Sequence, residues 1–220
     1  MSFDALAPHY RWLEWLLAGR KLQRCRIAFL GEIASPRHAL MLGEGNGRFL
    51  AAFLAAHPHA RVTCVDASAA MLARARARLA AKGIDDAAVT FIHSDILRWS
   101  PPRARFDVIV SHFFLDCFQS DEIERIVEKI LPLATANAHW LLADFREPTS
   151  GPAKWRARMI LRAMYLFFRR VTKLTGSRIT TPESFLEPRG FHLRERRLSE
   201  WGLLHTDWWM RRNPETPGGV

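Results

Sequence analysis

His38-Ala39-Leu40-Met41-Leu42-Gly43-Glu44-Gly45-Asn46-Gly47-Arg48-Phe49-Leu50 is the stretch on which the reading of this chain turns. An apolar run ends in three glycines at alternate positions, and an apolar pattern of helical spacing follows at once. Alternating glycines let a backbone turn tightly and leave no Cβ between the main chain and a bound ligand. In a βα unit such a turn faces the crevice beyond the carboxyl end of the strand, where doubly wound sheets take their ligands. The dinucleotide fingerprint sets its third glycine one position later, and here that position is Arg48. The spacing is GxGxG.

The segments that follow extend the pattern. About twenty residues on, Arg61-Val62-Thr63-Cys64-Val65-Asp66 reads as a strand ending in a carboxylate, placed to accept hydrogen bonds from ribose hydroxyls. Val89 to His93 is a further strand, leading into Ser94-Asp95-Ile96. Phe106 to His112 and His139 to Phe145 read as two more. Together these ordered segments resemble the class I S-adenosylmethionine (SAM) methyltransferases, over roughly residues 36–210 and most specifically over 39–112. The resemblance implies an α/β, Rossmann-like doubly wound sheet of seven mainly parallel strands with a C-terminal antiparallel hairpin. It implies SAM as cofactor, S-adenosylhomocysteine as product, and no metal. The cofactor contacts it implies are Gly43, Glu44, Gly45, Asn46 and Gly47 in the turn, Asp66 at the ribose, Asp95 and Ile96 at the adenine, and also Ala67 and Met71. Ser111, His112 and Tyr10 complete that set. The order of parts, including Phe3-Asp4-Ala5-Leu6-Ala7-Pro8-His9-Tyr10, is similar to the ubiquinone/menaquinone C-methyltransferases.

The chain departs from that pattern at two places. Met41 stands where many relatives carry an acid, and Glu44 stands between the first two glycines. Glu44 either takes over part of the recognition of the ligand ammonium group or caps the adjacent helix N-terminus, where negative charge is favoured. The sulfonium already activates its methyl group, so alignment supplies much of the catalysis. A base is needed only for an acceptor with an acidic proton. The residues best placed for that are at and just beyond the carboxyl end of the fourth strand. His112, whose ordinary titration lies near neutrality, is a base or acceptor-orienting group, or else a contact to the methionyl part. Asp116 orients it or caps the next helix, and Cys117 is a packed thiol. Tyr165, with Tyr10, closes over the site or packs in the core. His205 and Arg146 are further candidates.

Composition bounds the rest. The chain has 220 residues, 49% of them hydrophobic, which suits one methyltransferase domain over 1–212 with a sizeable core. No apolar run reaches the ~18 residues that span a bilayer. Met1-Ser2-Phe3-Asp4 lacks a basic n-region, so the expected compartment is the cytoplasm. Cys25, Cys64 and Cys117 are far apart and form no CxxC pair, which argues against zinc and a disulfide framework. The net charge of +10 is dispersed, as on a solvated surface. The base-methylating enzymes place an Asn/Asp-Pro-Pro-aromatic turn or a Pro-Cys after strand four. Here the turn is Ser111-His112-Phe113-Phe114-Leu115-Asp116, and nucleic acid is not the expected partner. The reading is methyl transfer to a small, aromatic or apolar acceptor, with the O, S, N or C nucleophile left open. Two other classes remain beside it: a protein of this fold that binds SAM without transferring the methyl, and a nicotinamide oxidoreductase. Arg48 and Asp95 speak against the second.

Periodicity places helices over 3–34 (an N-terminal cover, 1–35), 47–57, 68–82 and 120–131, the last with Ser120 as N-cap. Strands are expected at 38–42, 61–66, 88–93, 106–112, 139–145, 191–200 and 203–211, and a fraying tail at 213–220. The insertion 152–175 carries an apolar stripe (Ile160, Ala163, Phe167, Val171, Leu174) and a basic one (Arg158, Arg162, Arg169, Lys173). It reads as a plain surface helix, a lid over the acceptor, or a helix touching a membrane surface through 154–173.

Overall fold

The computed structural model describes residues 19–172 and 181–211, without the side chains of 163–172. Along the chain run α1 (Gly19–Arg26), β1 (His38–Leu42), α2 (Arg48–Ala56), β2 (Arg61–Asp66), α3 (Ala69–Ala81), β3 (Val89–His93) and β4 (Phe106–His112). Then come α4 (Ser120–Ile130), β5 (Ala134–Phe145), α5 (Gly151–Thr172), α6 (Glu183–Leu186), β6 (Phe191–Ser199) and β7 (Leu204–Arg211). The strands form one seven-stranded sheet in the order β3-β2-β1-β4-β5-β7-β6. Pairing is parallel from β3 through β5, while β7 is antiparallel to both β5 and β6. This is the expected Rossmann-like sheet with its antiparallel hairpin.

Alternation along the central strands builds a core on each face. From β1, Leu40 and Leu42 join Ile109, Trp140, Ile123, Ile126 and Trp209 on one face. Ala39 and Met41 join Phe49, Phe53, Leu79, Val108 and Val110 on the other. Helices cover both faces, so β1 and β4 read as near-continuous apolar runs. α4 shows the matching economy: Ile123, Ile126, Val127 and Ile130 are buried at helical spacing, and Asp121, Glu124, Arg125 and Glu128 are exposed. The order of strands reverses between β1 and β4, and the crevice outside their carboxyl ends is the fold's binding position.

Several expected boundaries move. β5 begins at Ala134 rather than 139, because Ala134 pairs with Phe106 and its carbonyl accepts from the Arg211 guanidinium at 2.7 Å. The N-cap of α4 is Gln119, not Ser120; the Glu122 carboxylate reaches back to the Gln119 N–H at 3.0 Å, closing a capping box. The N-terminal helical cover ends at Arg26 and continues only as a short 3₁₀ turn, Leu30–Glu32; residues 1–18 and the tail lie outside the described residues. On α5 Ala157 and Leu161 are buried, and Ile160 of the expected stripe packs partly buried beside them. Ala163 and the rest of that stripe fall outside the described side chains. Arg158 and Arg162 are exposed, as the basic stripe requires. Cys64 is buried in β2 as a free thiol.

Candidate active site

The three glycines are required for different reasons. All have left-handed φ, 61° at Gly43, 67° at Gly45 and 76° at Gly47. A Cβ on Gly43 would stand 2.3 Å from the Phe114 ring, and one on Gly47 would stand 2.7 Å from the Ala75 backbone. Those two let the turn pack. A Cβ on Gly45 would meet nothing within 4 Å, so its bare backbone borders open space. The Gly43 N–H donates to the Val65 carbonyl at 2.9 Å, fastening the turn to the end of β2.

Asp66 completes that fastening. Its Oδ2 accepts from the Gly45 N–H at 3.0 Å and its Oδ1 from the Ser68 N–H at 2.9 Å. The carboxylate therefore points at the glycine turn and joins it to the start of α3. Ser68 caps α3 by accepting from the Met71 N–H, which leaves the Met71 side chain buried beneath. The Ala67 carbonyl lies 3.1 Å from the His93 ring, and the Asn46 carbonyl accepts from Arg78 at 2.8 Å. Asp95 follows β3, where His93 is in register with Asp66. It is turned on its own loop, its Oδ1 accepting from the Leu97 N–H at 3.0 Å. Lys129 reinforces that loop by donating to the carbonyls of Ile96, Leu97 and Trp99 at 2.8, 2.8 and 2.9 Å. Ile96 is buried against the core.

Glu44 serves as a helix cap. Its Oε1 accepts from the Phe49 and Leu50 N–H groups at 2.8 and 3.0 Å, the first turn of α2. Gly47 sits at the N-cap position and has no side chain with which to do this. Burial pushes the Glu44 carboxyl up from 4.5 to about 7, against the opposing pull of those N–H groups and of Arg26. A carboxyl raised in the folded state binds protons there that the unfolded chain has released. Its stabilising contribution is thus lost as pH rises from about 4.5 to about 7. Gln keeps the accepting oxygen without the charge. Glu44→Gln is expected to raise unfolding stability by about 1–3 kcal/mol at pH 8 and to change it little at pH 4.5. Denaturant unfolding at the two pH values checks this.

The carboxyl end of β4 divides its residues between the two faces. The Ser111 hydroxyl is fully buried and accepts from the Trp140 indole at 2.8 Å, so its side chain belongs to the core and not to the crevice. His112 turns to the other face, edge-on to Phe49 with ring centroids 4.6 Å apart. Its two ring nitrogens are buried and find no hydrogen-bond partner among the described residues. Burial, and then the Arg26 charge, push its pKa well below the usual value near 6.5. That direction moves His112 away from the expected titration near neutrality and favours its neutral imidazole. Phe113 follows with left-handed backbone (φ 52°), its N–H held by the Ala143 carbonyl at 2.6 Å and its ring beneath the Arg26 guanidinium. Strain of this kind persists where surrounding contacts over-determine it.

Beyond that turn two carboxyls meet. The Asp144 Oδ1 accepts from the Phe145 N–H at 2.8 Å, and the Asp116 backbone N–H also donates to the Asp144 carboxylate. Burial pushes Asp116 up to about 6. Burial, and next the charge of Asp116, push Asp144 well above the ordinary carboxylate range. Two like charges in one buried place cannot both ionise cheaply. The Cys117 thiol donates weakly to Asp116 and is itself pushed up by burial and that charge. Asp116 is therefore not the cap of α4. Across the β5–β7 pairing His205 stands opposite Asp144, but its Nδ1 lies 3.0 Å from Asp207, which Arg196 clamps at 2.7 and 2.5 Å. The backbone N–H of Arg146 donates to the Leu203 carbonyl. Tyr10 lies outside the described residues, as does the Tyr165 side chain on α5. Sequence reading missed Asp144, whose only signal is a carboxylate closing the apolar run Trp140–Ala143, and Arg26 and Lys129, which had none. A cavity of about 520 Å³ opens between Gln23 of α1, Arg48 and Ala52 of α2, Arg78 of α3 and Lys82 just beyond its end.

Comparison with known proteins places this geometry. Residues 39–137 match the family model described as a methyltransferase domain. Among solved structures, the mitomycin 7-O-methyltransferase MmcR is similar at 20% identity and TM-score 0.67, over 96% of this chain and 61% of that one. An O-methyltransferase family protein from Burkholderia thailandensis aligns at 16% identity and TM-score 0.71, over 95% and 60%. The pyocyanin biosynthetic protein PhzM aligns at 18% and 0.68, over 96% and 62%. The chain thus spans about three fifths of the length of these structures. No curated protein matches the sequence.

Proposed function

We infer that this chain, whose residues 39–137 match a methyltransferase domain, transfers the methyl group of SAM to a small, aromatic or apolar acceptor bearing an ionisable proton. The observation that carries this reading is the glycine turn, locked to Asp66 through Gly45 and bare of side chains where it borders open space. The residues present fit the cofactor: an open backbone cradle, a ribose-side carboxylate, and in His112 two buried ring nitrogens without partners. When bound, SAM supplies a methyl group activated by its sulfonium for in-line displacement.

The chain holds and orients. Asp66, held at the turn by the Gly45 and Ser68 N–H groups, would take the ribose side of the cofactor, and Asp95, fixed by the Leu97 N–H, would take the adenine edge. Neutral His112 is too weak a base for the acceptor proton and serves as an orienting hydrogen-bond partner. The Asp116–Asp144 pair is the better proton acceptor, because a carboxyl raised to about 6 is both ionised at neutral pH and a stronger base than an ordinary one. Its neighbours along the chain, Leu115 and Phe145, are apolar and buried, which suits an apolar acceptor.

Thermal unfolding with SAM, S-adenosylhomocysteine and NADH tests the reading, since a ligand that binds only the folded chain raises its melting temperature. SAM and S-adenosylhomocysteine are expected to raise it by several degrees at about 100 times Kd, with NADH inert. A rise with NADH alone overturns the assignment. A rise with SAM but no methyl transfer to phenolic, thiol and amine acceptors would make the chain a SAM-binding regulator or partner subunit.

A further inference from the structure

Away from the crevice, the chain turns two tryptophans to solvent. Trp155 on α5 and Trp201 in the turn between β6 and β7 are each 72% exposed, and Met159 is 52% exposed. Trp155 and Met159 lie one helical turn apart, opposite the Ala157 and Leu161 positions that pack against Phe145, Leu203 and Leu204. Trp201 is held outward by an unusual backbone. It and Glu200 both adopt left-handed φ, 63° and 52°, a conformation that costs a bulky residue strain and argues for a purpose. Arg156 joins the two elements into one surface: it donates to the Glu200 carbonyl, and its guanidinium stands 5.6 Å from the Trp201 ring centroid.

The charge of this surface is one-sided. The 22 residues of α5 include Lys154, Arg156, Arg158, Arg162, Arg169 and Arg170 and no acidic residue. Of the nearby carboxylates, Glu147 faces Arg158 at 2.8 Å and Lys154 at 3.8 Å, and Glu200 pairs with Lys21. Among the described residues no helix is long and apolar enough to cross a membrane. We propose that the face formed by Trp155, Met159 and Trp201 with Arg156, Arg158 and Arg162 docks on an anionic lipid bilayer. Indole rings settle at the headgroup level, where an apolar body and a polar N–H are both accommodated, and arginines beside them meet lipid phosphates. Two indoles turned to solvent beside arginines suit a deformable lipid surface better than the surface of an acidic protein. The proposal is independent of the methyl-transfer reading, because docking needs no cofactor.

The test is flotation of the full chain with vesicles of phosphatidylcholine alone or mixed equally with phosphatidylglycerol. The chain is expected to float with the mixed vesicles only and to be released by high salt, since exposed charge is screened. Trp155→Ala with Trp201→Ala is expected to weaken that binding about tenfold or more without changing the melting temperature. Quenching of tryptophan fluorescence by brominated lipid is expected in the wild type and lost in W155F/W201F. No flotation with anionic vesicles overturns the proposal. So does flotation equal in wild type and the double alanine variant, or quenching that survives in W155F/W201F. Binding to a poly-glutamate peptide with no binding to vesicles would overturn it in favour of an acidic protein partner.

Discussion

Replacing Asp66 with alanine is expected to lower the affinity for SAM and for S-adenosylhomocysteine by about 100-fold or more. The carboxylate accepts from Gly45 in the turn and from Ser68 at the start of α3, so one side chain holds two loops in mutual register. Hydrogen bonds to a charged group contribute about 1.5–3 kcal/mol each. The Gly45 N–H borders open space, where water replaces the lost acceptor, while Ser68 is buried, and the folding loss is expected to be about 1–3 kcal/mol. The affinity loss is larger because the ligand must then order the turn as well as bind it. Asp66→Asn gives a graded comparison. Its amide oxygen satisfies one N–H while its NH₂ confronts the other, so at least about a tenfold loss is expected. Titration calorimetry with S-adenosylhomocysteine measures both variants. Affinity within about threefold of wild type in Asp66→Ala would remove Asp66 from the site.

The parts legible in the sequence are those whose local chemistry leaves one solution. His38–Leu42 is a buried parallel strand because its apolar run is cut by a glycine. Arg61–Asp66 has apolar alternation and a terminal acid, and both strands appear where expected. The start of β5 was not legible. Ala134-Thr135-Ala136-Asn137-Ala138 carries little apolar signal, and its extended form is imposed by pairing to Phe106 and by arginines from distant segments. Gln119 and Ser120 both precede α4, and only the Glu122 side chain reaching back to Gln119 decides between them. In the site, residue type was readable and environment was not. The histidine of His112 is visible, but its burial beside Phe49 and Arg26 depends on α1 and α2 packing over β4. Glu44 offered two roles until the first turn of α2 was seen to use its oxygen. Asp144 gained meaning only when the turn after β4 brought the Asp116 backbone to it.

That pairing carries the second large expectation, in which stability and activity move in opposite directions. Asp144→Asn is expected to raise unfolding stability at pH 8 and, by removing the carboxyl that shares a proton with Asp116, to slow methyl transfer to a phenolic acceptor by about tenfold. The sign follows from burial. Both carboxyls are raised in the folded chain, so it binds more protons than the unfolded one above the ordinary value of 3.8. Their stabilising contribution is whole below that value, falls as pH passes through about 6 for Asp116, and falls further above it for Asp144. Asparagine stays neutral, so the variant gains on the wild type at pH 8 and not near pH 4. Wild-type transfer, which needs one ionised carboxyl, is expected to rise with pH through about 6. Asp116→Asn removes the group that ionises first. The acidic limb of its rate profile is then expected to move to higher pH, since the more strongly raised Asp144 is left to supply the base. A purely structural role would alter the rate without moving that limb. Transfer within about twofold of wild type in both variants, with the limb in place, would take the carboxyl pair out of the chemistry.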